Sequence, residues 1–86
     1  MTMQLRQSGL TWHVVGDDVV VLDLNGSVYL RLNGSARVLW EQLVEPCTDA
    51  DLAATLVERF GISDERAATD VAAFVGDLRA RDLLAE

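Results

Sequence analysis

The sequence predicts an α+β fold in which a three-stranded antiparallel sheet is followed by three helices. Two β-branched runs are joined by Asn25-Gly26, a dipeptide that favours tight hairpin turns because both residues tolerate positive φ. After Asn33 the spacing of apolar residues changes from a period of two to a helical period. Strands that all precede the helices, instead of alternating with them, are typical of α+β proteins.

The three predicted strands lie between residues 11 and 32. The first covers residues 11–15 and ends at Gly16-Asp17-Asp18, which are turn-forming residues. The second covers residues 19–24 and the third residues 27–32. These two runs are predicted to pair as a hairpin around Asn25-Gly26.

A two-residue loop at Asn25-Gly26 pairs Leu24 with Ser27, Leu22 with Tyr29 and Val19 with Leu32. Alternation then puts two apolar sets on opposite faces of the hairpin: Val19, Val21, Val28, Leu30 and Leu32 on one, and Val20, Leu22, Leu24 and Tyr29 on the other. We expect the first set to contact the helices. We expect the second to be partly covered by the N-terminal strand or by a neighbour.

Each predicted helix has a recognisable end. The first carries its apolar residues at helical spacing (Ala36, Leu39, Trp40 and Leu43) and must stop before Pro46. Thr48 is the predicted N-cap of the second helix, and Gly61 ends it. Ser63 opens the third and longest helix, whose apolar face is Ala67, Val71, Phe74, Val75 and Leu78.

Composition narrows the class of protein. A chain of 86 residues is long enough for one domain, residues 1–86, and for one core. The formal charge of −7 and the scattered arginines argue against nucleic acid as a partner. A single cysteine, no apolar N-terminal run and no membrane-length apolar segment indicate a cytoplasmic protein without membrane contact.

The sequence offers little to catalysis. His13 is the only histidine and Cys47 the only cysteine, so ordinary zinc ligation is hardly available. Cys47, in the connection after Pro46, is interpreted as a half-buried loop residue, and the Asp17-Asp18 pair as a turn former. The glycines form no phosphate-binding pattern. We therefore expect a protein that is not an enzyme and that has no cofactor or metal.

The third predicted strand is a candidate edge strand. If the first strand lies on the far side of the second, the third presents unpaired N–H and C=O groups to an extended chain. The alternative is that the first strand or a second copy of the chain covers this edge. On the third helix, Phe74 lies at one flank of the apolar face and is a candidate floor for an apolar ligand side chain, or a plain core residue.

The chain resembles the PqqD-like family, whose members are RiPP recognition elements that bind the leader segments of precursor peptides. The resemblance covers about residues 12–84. It is carried by an ordered series of strings: Val21-Leu22-Asp23, Tyr29-Leu30-Arg31-Leu32-Asn33-Gly34, Ala36-Arg37-Val38-Leu39-Trp40, residues 51–60, Asp70-Val71-Ala72-Ala73-Phe74-Val75 and Leu83-Leu84. The short form with Tyr-x-x-Leu-Asn in the third strand is most similar to the stand-alone leader-binding proteins of lasso peptide biosynthesis.

Three strands followed by three helices also fit a winged-helix-like arrangement. The resemblance implies a binding mode in which the leader docks antiparallel to the third strand, between it and the third helix. The implied contacts are Ser27, Val28, Tyr29, Leu30 and Arg31 on the strand and Asp70, Ala73, Phe74, Asp77 and Arg81 on the helix. Implied partners are the precursor peptide, a transglutaminase-like cysteine protease that removes the leader, and an asparagine-synthetase-like, ATP-dependent macrocyclase.

Three alternatives stay open at this point. The chain could be a peptide chaperone for a radical-SAM enzyme, as the best-known relatives are. It could be a winged-helix DNA-binding protein, although acidic residues outnumber arginines on the third helix. It could also be a dimerisation module whose open edge pairs with its own copy.

Overall fold

The computed structural model describes residues 2–25 and 28–85, except for the side chain of Val28. Its elements in chain order are β1 (Gln4–Leu5), β2 (Leu10–Val15), β3 (Asp18–Asp23), β4 (Val28–Leu32), α1 (Gly34–Gln42), α2 (Asp49–Phe60), α3 (Asp64–Ala80) and β5 (Leu84–Ala85). The predicted α+β fold, with an antiparallel sheet of three strands followed by three helices, is confirmed. Strands β1 and β5 are additions that the sequence did not predict.

The main sheet has the order β2-β3-β4, with both pairs antiparallel. Val19 lies opposite Leu32 and Leu22 opposite Tyr29, so the predicted hairpin register is confirmed. Strand β3 ends at Asp23, one residue before the predicted end. The predicted pairing of Leu24 with Ser27 lies outside the described residues.

The two faces of this sheet have different environments. Val19 and Val21 are fully buried against the helices, as predicted. On the other face Leu24 is 67% exposed and Tyr29 is 59% exposed. The expectation that the N-terminal strand covers this face is wrong, because β2 lies beside β3 within the sheet instead of across it.

Side-chain caps define the starts of the two longer helices. Thr48 Oγ1 accepts a hydrogen bond from Asp51 N–H at 3.1 Å, and the Asp51 carboxylate accepts one from Thr48 N–H at 3.0 Å. Gly61 ends α2 at a φ of 65°, a left-handed conformation that favours glycine. Ser63 Oγ accepts from Arg66 N–H at the start of α3. These predicted helix ends are confirmed.

A second, two-stranded sheet joins the two ends of the chain. Gln4 pairs with Ala85 and Leu5 with Leu84. Leu5 N–H also donates to Leu43 O at 2.9 Å, which ties the segment to the end of α1. Met3 and Leu5 are 3% and 4% exposed, so the N-terminal segment contributes to the core.

The core contains residues from the N-terminal segment, the main sheet and all three helices. Its largest fully buried side chain is Trp40 on α1, whose ring lies 6.4 Å from that of Trp12 in an edge-to-face contact. Val71, Val75 and Leu78 supply the contribution of α3. Cys47 is buried, with 6% exposure, and not half-buried as predicted; its backbone forms a β-bridge with Met3, which is also buried.

Candidate peptide-binding edge

Strand β4 is an edge of the sheet. It pairs with β3 on one side, and within residues 2–25 and 28–85 no segment pairs with its other side. An edge of this kind presents backbone donors and acceptors in the spacing that an extended peptide needs. The predicted edge position of the third strand is thus observed in the described chain.

The backbone groups that point outward from β4 belong to Tyr29 and Arg31. Leu24 N–H donates to Gly9 O at 2.8 Å, so the backbone of Leu24 points toward the β2 side. Because this direction alternates along a strand, the groups of Val21 point the other way, toward those of Leu30. The intervening residues of β4 therefore direct their N–H and C=O groups to the open side.

The side chains of β4 alternate between the core-facing side and the opposite side of the sheet. Leu30 points inward and packs, partly buried, against the core, whereas Tyr29 points outward. The Arg31 guanidinium donates to the Asp18 carboxylate at 2.5 Å, and this hydrogen bond lowers the pKa of Asp18. The Arg31 side chain is thereby tied to the start of β3, while its backbone faces the open edge.

On α3 the predicted residues include one aromatic side chain and a polar surface. Phe74 is partly buried and packs against the same core as Leu30, and Ala73 is exposed. The other three form ion pairs along the helix: Asp70 with Arg66 at 3.8 Å, and Asp77 with Arg81 at 3.2 Å. Leu30 and Phe74 are therefore the two side chains of the predicted contact set that are seen to pack against the core.

Two of the predicted strand residues are described less fully. Ser27 lies outside the described residues, and Val28 is described for its backbone alone, which pairs with Asp23.

Sequence reasoning missed an ion pair beneath the hairpin. Asp23 is 4% exposed and is paired with the Arg6 guanidinium. The available signal was the position of Asp23 itself, because alternation places this carboxylate on the inward face with Val19 and Val21. A buried carboxylate requires a donor, and Arg6 is the arginine nearest the start of the chain.

The candidate chemical groups occupy ordinary environments. Burial, followed by the nearby Asp51 and Asp49 carboxylates, raises the pKa of the Cys47 thiol and so disfavours the thiolate that nucleophilic attack needs. His13 is exposed on β2. Among residues 2–25 and 28–85, no group of three or more potential metal-binding side chains is found, and no helix combines the length and apolar character of a membrane span.

Three helices that pack against a three-stranded antiparallel sheet, whose edges in the described chain are β2 and β4, define a small α+β domain of winged-helix-like architecture. Residues 18–84 match the sequence profile of the family described as Coenzyme PQQ synthesis protein D (PqqD). Because that match covers most of the chain, this protein belongs to the PqqD family, and the predicted family resemblance is confirmed.

Solved structures with the same fold are known. One is described as "Lasso peptide synthetase B1 complexed with the leader peptide", with a TM-score of 0.84, 24% identity and coverage of 98% of both chains. Another is "TbiB1 in Complex with the TbiA(beta) Leader Peptide", with a TM-score of 0.85, 18% identity and coverage of 94% of this chain and 93% of that one. At these identities the similarity is one of fold. No curated protein matches the sequence significantly.

Proposed function

We propose that this chain is a non-catalytic adaptor that binds the leader segment of a ribosomally made precursor peptide and presents it to the maturation enzymes of lasso peptide biosynthesis. The observation that carries the proposal is the open edge of β4, with the backbones of Tyr29 and Arg31 directed outward. Two proteins of the same fold are described as complexes with leader peptides, which supports this use of the edge.

The leader would add to β4 as an antiparallel strand, between β4 and α3. Main-chain hydrogen bonds to Tyr29 and Arg31 would supply affinity, and an apolar leader side chain would lie on Leu30 and Phe74. The full proposed contact set is Ser27, Val28, Tyr29, Leu30, Arg31, Asp70, Ala73, Phe74, Asp77 and Arg81.

The adaptor would act by raising the concentration of substrate at its partner enzymes. Holding the leader converts the encounter of precursor and enzyme into a local event without any bond-making by the adaptor. The proposed partners are a transglutaminase-like cysteine protease and an asparagine-synthetase-like macrocyclase, in the cytoplasm. The proposal assigns no cofactor and no metal to this chain, which acts as one domain.

Titration with a synthetic leader tests the proposal. The probe is a fluorescein-labelled peptide with the leader sequence of the precursor encoded beside this chain's gene, followed by fluorescence anisotropy. A main-chain ladder with one or two filled pockets is expected to give micromolar to nanomolar affinity, about −8 to −12 kcal/mol. No binding at high micromolar protein would contradict the proposed function.

A second candidate function is that of a peptide chaperone for a radical-SAM enzyme, because the family itself is described by coenzyme PQQ synthesis. The same titration separates the two candidates when it is repeated with the precursor peptide of that cofactor pathway. Tighter binding of the cofactor precursor than of the lasso leader would favour the chaperone.

A further inference from the structure

The Arg6 side chain, in the N-terminal segment, forms hydrogen bonds to several separate parts of the fold. Its guanidinium is bonded to the Asp23 carboxylate through both terminal nitrogens. Nη1 also donates to Asp82 O at 2.8 Å, Nη2 to Gly9 O at 3.4 Å, and Nε to Ser8 O at 2.9 Å. This one side chain therefore connects three regions that are distant in sequence.

Two of these regions adjoin the walls of the proposed peptide site, β4 and α3. Asp23 is the last residue of β3 and pairs with Val28, the first residue of β4. Its carboxylate also accepts from Asn25 N–H at 3.0 Å, which holds the start of the hairpin turn. Asp82 follows directly after Arg81, the residue that caps the C-terminal end of α3. Arg6 thus spans from the turn end of the β3–β4 hairpin to the end of α3.

The third region, around Gly9, packs closely under the same hairpin. Gly9 adopts a φ of 67°, and a Cβ there would lie 2.4 Å from Asn25 Nδ2. Gly9 O also accepts from Leu24 N–H. The N-terminal loop and the turn therefore touch through backbone, with Arg6 bonded to both sides of the contact.

We propose that Arg6 is a positioning residue that sets the spacing between β4 and the end of α3, and thereby the fit of the leader peptide between them. This inference rests on the proposed function and adds to it. The family profile begins at residue 18, so the role belongs to a segment outside the matched region. The Arg6 side-chain hydrogen bonds seen among residues 2–25 and 28–85 go to Ser8, Gly9, Asp23 and Asp82, so Arg6 acts on the contact set through Asp23 and Asp82.

The chemistry of the guanidinium suits this task. A planar group with donors in a fixed fork can bond a carboxylate and a carbonyl together, which a lysine ammonium on a flexible stem does less well. The Asp23 hydrogen bond raises the pKa of Arg6, so the charge is permanent. Asp82 has a φ of 59°, a left-handed conformation that is uncommon for non-glycine residues, and its carbonyl oxygen accepts a hydrogen bond from Arg6.

The expected effect on leader affinity follows from the fraction of molecules that keep the binding geometry. If loss of Arg6 lets the end of α3 move relative to the hairpin, only a fraction of the molecules keep the binding geometry, and the apparent affinity falls by that fraction. Arg6→Met is expected to weaken binding of the labelled leader about tenfold. Arg6→Lys is expected to fall between wild type and Arg6→Met, because the ammonium retains the charge but not the fork.

The matched control is Arg37→Met. Arg37 also bonds a carboxylate, that of Glu41 at 2.7 Å, and a backbone carbonyl, that of Gly16 at 3.4 Å. It does so from α1, so its removal is expected to change leader affinity less than about twofold. The double variant Arg6→Met with Asp23→Asn also removes the buried carboxylate charge that has lost the Arg6 guanidinium, and it keeps the test valid if Arg6→Met alone fails to fold.

Amide hydrogen exchange gives a readout that needs no peptide. Exchange at Leu24 N–H, bonded to Gly9 O, and at Leu83 N–H, bonded to Leu78 O, is expected to accelerate in Arg6→Met. Exchange at Gly61 N–H, bonded to Val57 O at the end of α2, is expected to stay at the wild-type rate. Equal acceleration at all three amides would show a general loss of stability and would overturn the positioning role.

The binding outcomes separate the two proposals. No binding of any leader by the wild-type chain would overturn the proposed function. A second outcome would overturn only the role of Arg6. In that outcome the wild-type chain binds the leader, and folded Arg6→Met or the folded double variant binds it within twofold of wild type. A tenfold loss in the folded variants, with Arg37→Met unchanged, supports the positioning role.

Discussion

At the scale of single residues, the alternation of side chains along a strand predicts which way a side chain points better than it predicts its ion-pair partner. The period-two pattern correctly placed Leu30 inward and Tyr29 outward, since both follow from strand geometry alone. The ion pair between Arg31 and Asp18 was not predictable, because it runs diagonally across two strands and depends on where β3 begins. The Arg6–Asp23 pair links residues 17 positions apart through tertiary packing, which leaves no local signal beyond the inward carboxylate.

Phe74 gives the most direct test at this scale. Its ring is partly buried, so it can both support the core and leave a surface for a ligand side chain. Phe74→Ala is expected to weaken leader binding by about 1 to 3 kcal/mol, measured by anisotropy on folded protein.

The control for Phe74 is Phe60→Ala. Phe60 is the exposed last residue of α2, and its removal is expected to leave leader affinity unchanged. If Phe74→Ala lowers the unfolding free energy while the affinity per folded molecule stays the same, the ring is only a core residue.

At the scale of elements, those with local signals were predicted and those without were not. The hairpin register and the ends of α2 and α3 follow from Asn25-Gly26, Thr48, Gly61 and Ser63, each of which acts on its neighbours. Strands β1 and β5 have two residues each, too few for any periodicity, and they pair across almost the whole chain. The sequence also did not identify which amides of β4 face outward. That assignment depends on the observed hydrogen bond from Leu24 N–H to Gly9 O.

A proline scan tests the open edge. Tyr29→Pro removes an outward N–H from β4 without breaking the β3–β4 ladder, and is expected to abolish leader binding at micromolar protein while the fold is retained. Tyr29→Ala, which removes only the side chain, is expected to bind better than Tyr29→Pro. Both are measured by anisotropy, with circular dichroism to confirm folding.

The matched position lies on the opposite edge of the sheet. Val14 on β2 is exposed, and by the same alternation its N–H points away from β3. Val14→Pro is expected to bind the leader as wild type does. Equal loss of binding in Val14→Pro and Tyr29→Pro would argue against β4 as the docking strand.

The short strand β1 is predicted to stabilise the fold despite its length. Leu5 is almost fully buried, so Leu5→Ala should lower the free energy of unfolding by about 2 to 5 kcal/mol in urea titrations. Leu24→Ala, at a highly exposed position, is the control and should change it by less than about 0.5 kcal/mol. Similar effects from both changes would mean that β1 contributes little.

At the scale of the whole molecule, charge is the property that sorts the candidate functions. The net charge of −7 was available from composition, and α3 carries Asp64, Glu65, Asp70 and Asp77 on a helix that a DNA-binding winged helix would place in the major groove. The fold alone does not separate a peptide binder from a DNA binder. The acidic surface and the open sheet edge together favour the peptide.

Nucleic acid binding is therefore expected to be absent. Mixed with labelled duplex DNA at 50 mM salt or below, the protein should produce no gel shift at about 10 μM, because phosphate and this surface carry charge of the same sign. The same protein sample should bind the labelled leader, which controls for folding. A shift that strengthens as the salt concentration falls would support the DNA-binding alternative.

If a precursor docks on β4 as proposed, the length of this strand limits how much of the precursor the protein can contact. Five residues at about 3.3 Å each span roughly 16 Å, so a docked chain is aligned over only about five of its own residues. Main-chain hydrogen bonds do not depend on the side chains of the docked peptide. The part of the precursor that follows the docked residues lies outside the contact with β4. Under the proposed function, mature products could consequently diversify in ring and tail without any compensating change in this protein.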